Sequence, residues 1–138
     1  MNIKDCYKME LLVKKRSSQE KATQSLRASK VYIQKAKDNI ALKNYDITIV
    51  AAYTSMFHSL RAILFKDGLK ERSHICLLAY IRNAYPELSR IANSVDVYRR
   101  FRHTALYGLE TSASREEAES SIEVAEETFG SVKKLLKL

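Results

Sequence analysis

Residues 47–65 read ITIVAAYTSMFHSLRAILF, a run with neither Gly nor Pro in which apolar side chains fall on almost every side of a helix. A helix apolar nearly all round is buried. This segment is therefore expected to be the central core helix, with Phe57 among its core side chains. Thr54, His58 and Arg61 fall at i, i+4 and i+7 and place three polar groups in one line. An Arg near a core must be paired or reach water, because burying it alone costs about several kcal/mol. The line is thus expected to face a polar seam, a cleft or a partner. The segment has about the length needed to cross a bilayer, roughly 20 residues. His58 and Arg61 sit near its middle, at a cost of about 2.5–3.5 kcal/mol for the Arg alone. A core helix is expected, with no membrane partner.

Working outward, the segments on either side are also helical. Asn44–Asp46 breaks the chain before the central helix, and Asp67-Gly68 ends it, with Gly68 suited to a left-handed cap. Upstream, 18–44 forms a helix with Ser18 as N-cap and a stripe of Ala22, Leu26, Ile33, Ala36 and Ile40. Ser29 fills a step of that stripe and is small enough to lie against a neighbouring helix. Downstream, Leu69–His74 is a polar connection, and Ser73 caps a short helix over 75–84. His74 either caps that helix or faces a site, and capping is the preferred reading. Pro86 suits the first turn of the next helix, which ends near Gly108. Residues 109–114 form a loop. Ser114 and Glu117 form a capping box for a last helix, whose apolar line is Ala118, Ile122, Ala125, Phe129, Val132 and Leu135 or Leu136.

Four long helices and one short one result, with no strand alternation and no repeat. The fold class is all-α, an up-and-down bundle of four to five helices. With 138 residues the chain has the size of one domain, placed at 18–138, after a basic segment at 1–17 in which Met9–Val13 is a helical turn, a docking segment or part of a frayed end. Composition agrees, since three Gly and one Pro leave little to interrupt helices, and 46% hydrophobic residues suffice for a core. Cys6 and Cys76 make neither a disulfide framework nor a CxxC motif, so a reduced cytoplasmic setting is expected. No secretory signal is read in residues 1–16.

The net charge is +8, unevenly spread. Residues 1–35 hold nine Lys or Arg against three carboxylates, and residues 110–127 hold seven Glu against one Arg. Two solvated helix faces of opposite sign would account for this. A basic surface for nucleic acid or an acidic partner would account for it equally.

The densest chemistry lies at Tyr98-Arg99-Arg100-Phe101-Arg102-His103-Thr104-Ala105-Leu106-Tyr107-Gly108. Arg suits phosphate, and His moves protons near neutral pH. RNA cleavage needs both, a base for the 2′-OH and a cation for the pentacoordinate phosphate. A basic, solvated helix end complementing the helix dipole is the ordinary alternative. His58 is read first as a hydrogen-bonded core histidine. The three histidines are too scattered for a metal site, no glycine-rich phosphate loop is present, and no metal or cofactor is expected.

The central AAYTSMFHSLRAILFKDGL with a following SH, the later RHTALYG, and the closing SREEAESSIEVAEETF resemble the helical HEPN domain over roughly Gln19 to Leu136. The resemblance implies a four- or five-helix bundle that dimerises. It further implies a ribonuclease toxin paired with a minimal nucleotidyltransferase antitoxin. The family motif is an Arg, four to six intervening residues and then a His. The matching positions are Arg102 and Tyr107, so Tyr stands where the His would, in the manner of an R-x-x-A-D-Y variant in which Leu106 replaces the acidic residue. Tyr, with a pKa of about 10, is a poor base at neutral pH. His103 follows Arg102 directly and points about 100° away on a regular helix. An H-x-Y extension of the motif would place its tyrosine at Leu109. The resemblance makes Arg102, Tyr107 and His103 the catalytic candidates, with Arg99, His58, Arg61 and Tyr53 binding RNA or nucleotide in a cleft floored by the central helix. Two functions stay open: a metal-independent ribonuclease toxin, and a non-catalytic module that binds a nucleotidyltransferase partner or a nucleotide.

Overall fold

The computed structural model describes residues 1–108 and 113–138, so four residues of the expected 109–114 loop, Leu109 among them, lie outside the described residues. Among the described residues the chain forms α1 (Ile3–Lys8), β1 (Leu12–Lys14), α2 (Gln19–Ala41), α3 (Tyr45–Asp67), β2 (Leu69–Glu71), α4 (His74–Ala84), α5 (Ser89–Tyr107) and α6 (Arg115–Leu136). A 3₁₀ turn at Pro86–Leu88 leads into α5, one turn later than the proline alone suggested. The all-α class and the bundle are as the sequence implies.

Helix α3 is the centre, packed against α2, α4, α5 and α6. Ile49, Ala52, Met56, Leu60, Ala62 and Ile63 are fully buried along it. Small residues let α2 approach closely. Ser29 Oγ lies 2.9 Å from Ser55 Oγ and also hydrogen-bonds Ser59, while Ser25 Oγ donates to the His58 carbonyl at 2.7 Å. The hydroxyls thus satisfy one another inside the core, where an unpaired one would be costly. Helix α6 starts on the expected capping box, Ser114 Oγ accepting from Glu117 N–H at 3.1 Å and Glu117 accepting from Ser114 N–H at 2.9 Å. It buries Ala118, Ile122, Ala125, Val132 and Leu136, with Phe129 and Leu135 half-buried at the edge. Gly68 takes the left-handed cap conformation, with φ +78°, and a Cβ there would meet the Lys15 carbonyl oxygen at 2.8 Å.

Four expectations are corrected. First, strands exist: β1 and β2 pair antiparallel, with Leu12 opposite Glu71 and Lys14 opposite Leu69. Three residues are too few to register a period of two, and the pairing joins segments far apart in the chain. Second, residues 1–17 are neither frayed nor separate. Asn2 caps α1, accepting from Asp5 N–H at 2.9 Å, and α1 packs on α4. Third, Cys6 and Cys76, both fully buried, are joined as a disulfide across a separation of 70 residues. Sequence spacing carries no signal of that proximity, because the return of α1 onto α4 creates it. Fourth, Phe57 is a flank residue instead of a core one: the open edge expected along Thr54, His58 and Arg61 also takes in Phe57 and Phe65, as a half-buried stripe between α2 and the α4–α5 side.

Arg61 meets the stated requirement by pairing. Its Nε and Nη2 donate to Glu71 Oε1 at 2.8 and 2.7 Å. The polar connection therefore hides an inward carboxylate, on a strand whose Leu69 and Glu71 both point in.

Two measurements check this packing. Met56→Ala is expected to cost about 2–5 kcal/mol in urea unfolding and Phe57→Ala clearly less, because only Met56 leaves a closed cavity. Arg61→Ala strands the Glu71 side chain, which is only 4% exposed, and is expected to cost about 3–5 kcal/mol. Glu71→Gln is expected to cost less, since the Arg61 side chain is 25% exposed and reaches water. Equal losses would show that Glu71 is hydrated.

Candidate functional site

The Arg-rich end of α5 passes beside the start of α4 and the middle of α3. A cleft of about 590 Å³ opens between them, lined by Ser73, His74, Arg99, Arg100, Arg102 and His103 among others. Ser73 caps α4, accepting from Cys76 N–H at 3.2 Å, and this cap fixes His74 as the first residue of the helix. His74 is therefore no cap; it faces the cleft.

His74 is held from two sides. Its Nδ1 is 2.6 Å from the Tyr53 hydroxyl, and its ring stacks on Phe57 with centroids 4.1 Å apart. With Nδ1 engaged, Nε2 is the ring nitrogen left for a ligand. When Nδ1–H donates to the phenol oxygen, Nε2 carries a lone pair and can accept a proton. When the phenol O–H donates to Nδ1, Nε2 carries the proton. Burial lowers the His74 pKa below its ordinary 6.5, and the nearby Arg102 lowers it further, against a weaker opposing effect of Glu71. The imidazole is then neutral at neutral pH. Burial also raises the Tyr53 pKa to about 12, opposed by Arg102 and Arg99, so the phenol keeps its proton.

The three arginines of the cleft differ. Asp96 accepts from Arg99 Nε at 2.8 Å and lies 3.6 Å from Arg100 Nη2, so it partly neutralises both. Arg102 has no carboxylate partner among the described residues; its guanidinium lies over the Tyr53 ring, 5.6 Å from the centroid. Stacking on an aromatic face leaves the guanidinium donors available for an anion. His103, exposed, shares the cleft. The roughly 100° between neighbours on a helix does not separate it from Arg102 because the cleft is wide enough to reach both.

The remaining sequence candidates divide. Tyr53 joins the site from below. Tyr107 is outside the cleft lining, 69% exposed, with its ring 5.0 Å from that of His103. His58 and Arg61 line a different cleft, and Arg61 is already engaged by Glu71. The Thr54 hydroxyl returns to its own helix, donating to the Val50 carbonyl at 2.8 Å. The residue for which sequence reasoning preferred the wrong alternative is His74, read as a cap before a site residue. A capping serine directly before it accounted for the local sequence, and its meeting with Arg102 is made only by the packing of α4 beside α5. Among the described residues no cluster of three His, Cys, Asp or Glu side chains is arranged to hold a metal ion.

No curated protein matches the chain. The family model described as HEPN domain matches residues 22–135, which takes in α2 through nearly all of α6 and every residue of the cleft. This chain belongs to the HEPN domain family.

Proposed function

We propose that this HEPN-domain protein binds RNA at the His74–Arg102 cleft and cleaves it without a metal ion, as the toxin of a toxin–antitoxin pair. The observation that carries the reading is the imidazole of His74, oriented by Tyr53 and Phe57, beside Arg102, which has no carboxylate partner among the described residues. In the cleavage step, His74 Nε2 takes the 2′-OH proton and the 2′-oxygen forms a bond to the adjacent phosphorus. The bond from phosphorus to the 5′-oxygen breaks, and His103 returns a proton to that oxygen. A 2′,3′-cyclic phosphate and a 5′-hydroxyl result. Arg102, with Arg99, stabilises the charge that develops on the phosphorane oxygens. The step uses the tautomer in which Nδ1–H donates to the Tyr53 oxygen and Nε2 keeps its lone pair. Tyr107, at the rim, is a surface on which a flanking base can stack. The reading includes a homodimer and a minimal nucleotidyltransferase antitoxin, in the cytoplasm.

A second reading is a non-catalytic module that engages a nucleotidyltransferase partner or a nucleotide through the same cleft. It is favoured by Tyr107, which occupies the second motif position and stands away from the cleft.

Incubation of labelled single-stranded RNA with the purified protein in chelator separates the two. Cleavage is expected, falling about 10²–10⁴-fold in His74→Ala and strongly in Arg102→Ala, with far-UV circular dichroism unchanged. Tyr107→Phe is expected to retain activity. No cleavage by the parent protein, with RNA or nucleotide still bound, selects the second reading.

The pH profile gives a further check. His74 must be neutral to act as base, and its pKa lies below 6.5. The acidic limb of the rate is therefore expected below pH 6.5, with activity lost as pH falls through the folded-state value. An acidic limb centred well above 6.5 would assign the base elsewhere.

A further inference from the structure

A second and larger cleft, about 710 Å³, opens on the other flank of the half-buried α3 stripe, between α2 and the β1–β2 pair. Four cations line it: Lys15 and Arg16 beyond β1, Lys21 from the first turn of α2, and Lys70 from β2. None of the four has a carboxylate within ion-pair distance among the described residues, and no carboxylate lines the cleft. The fifth cation of the wall, Arg61, is already neutralised by Glu71. The floor includes Phe65 and Leu69, and Lys21 Nζ lies 6.0 Å from the centre of the Phe65 ring. The site thus offers unpaired positive charge around an apolar, partly aromatic bed.

The two clefts are joined by rings. Phe57 stacks on His74 of the first cleft at 4.1 Å and lies 6.3 Å from His58 of the second. The Arg61 guanidinium covers Phe57 at 5.1 Å. Beyond His58 the line continues to Tyr32, stacked at 5.6 Å, with Lys35 Nζ 4.7 Å over that ring. All four rings are half-buried, so each leaves part of its surface within reach of a ligand. A cationic groove that follows a backbone, with aromatic faces between for bases, is how single-stranded nucleic acid is held without sequence preference. A second copy of this chain on the same surface would bring the same cations against them, which disfavours a two-fold contact here.

Resting on the reading of the first cleft as an RNA site, we propose that the RNA strand held at Arg102 continues across Phe57 into the second cleft. There Lys15, Arg16, Lys21 and Lys70 bind its phosphates. The second cleft is then an extended subsite that makes the protein prefer a longer single strand over a short one.

The test is fluorescence anisotropy with 2′-O-methylated oligouridylate, which cannot be cleaved, as a dinucleotide and as a longer strand. The parent protein is compared with Arg102→Ala and with the triple variant Lys15→Gln, Arg16→Gln, Lys21→Gln, all three sites being exposed. The triple variant is expected to weaken the longer strand by about tenfold and to lower the magnitude of its salt slope by about 0.7 for each phosphate that the variant no longer neutralises. The dinucleotide is expected to be unaffected, and Arg102→Ala to weaken both. A longer strand bound equally by the triple variant, yet weakened by Arg102→Ala, overturns the extended subsite and leaves the first cleft as an RNA site. Weaker binding in the triple variant with none in Arg102→Ala overturns the RNA reading of the first cleft, and the continuous path with it. A triple variant that changes oligomeric state in sedimentation at unchanged RNA affinity overturns the proposal in favour of an interface between copies.

Discussion

A carboxylate as closed off as that of Glu71, on a side chain 4% exposed, is tolerated only beside a cation, and Arg61 is that cation. The pair is the hinge of the architecture. Arg61 is the charge that α3 cannot bury alone. Glu71 brings the chain back against it immediately after α3 ends at Gly68. The return forms β2, and β2 gives β1 an edge to pair with. The N-terminal segment is drawn in by that edge, so α1 and β1 close the end of the domain. Ser73 and His74 follow two and three positions after Glu71, so the same return also sets where α4 begins.

The electrostatics of the molecule follow from which charges are consumed. Glu71 takes Arg61, and Asp96 is shared by Arg99 and Arg100. On the far side, α6 glutamates pair outward, Glu126 with Lys37 at 3.5 Å and Glu127 with Arg90. Pairs as exposed as these add little stability. What they leave is an uneven surface. The cations with no carboxylate partner among the described residues collect at Arg102 in one cleft and at Lys15, Arg16, Lys21 and Lys70 in the other. The opposition of a basic start and an acidic late helix is therefore more than two solvated faces, because the basic part folds back to line a concavity.

The tyrosines and histidines explain how α3 can be both core and site. On its buried sides α3 carries Ile49, Met56, Leu60 and Ile63, which account for its apolar appearance. On its open side Phe57 packs flat against His74, and Tyr53 reaches the same imidazole from within the core. A histidine fixed by a buried phenol and a packed ring loses little freedom when a ligand arrives, which is the use of a rigid second layer in any binding or catalytic site.

The sequence by itself determined the helices, the central place of α3 and the cap residues. Those are local matters of period, propensity and capping hydroxyls, and Ser18, Ser73, Ser114 and Gly68 all act as their positions dictate. It also marked the Arg-rich end of α5 as a candidate site. The tertiary structure decided the rest. It paired β1 with β2 and Cys6 with Cys76, turned Phe57 to a flank, set Tyr107 outside the cleft and placed His74 across from Arg102. Each of these depends on an approach between residues distant in the chain. Such approaches leave no periodic trace in the residues that make them, because they are fixed only when whole helices have packed.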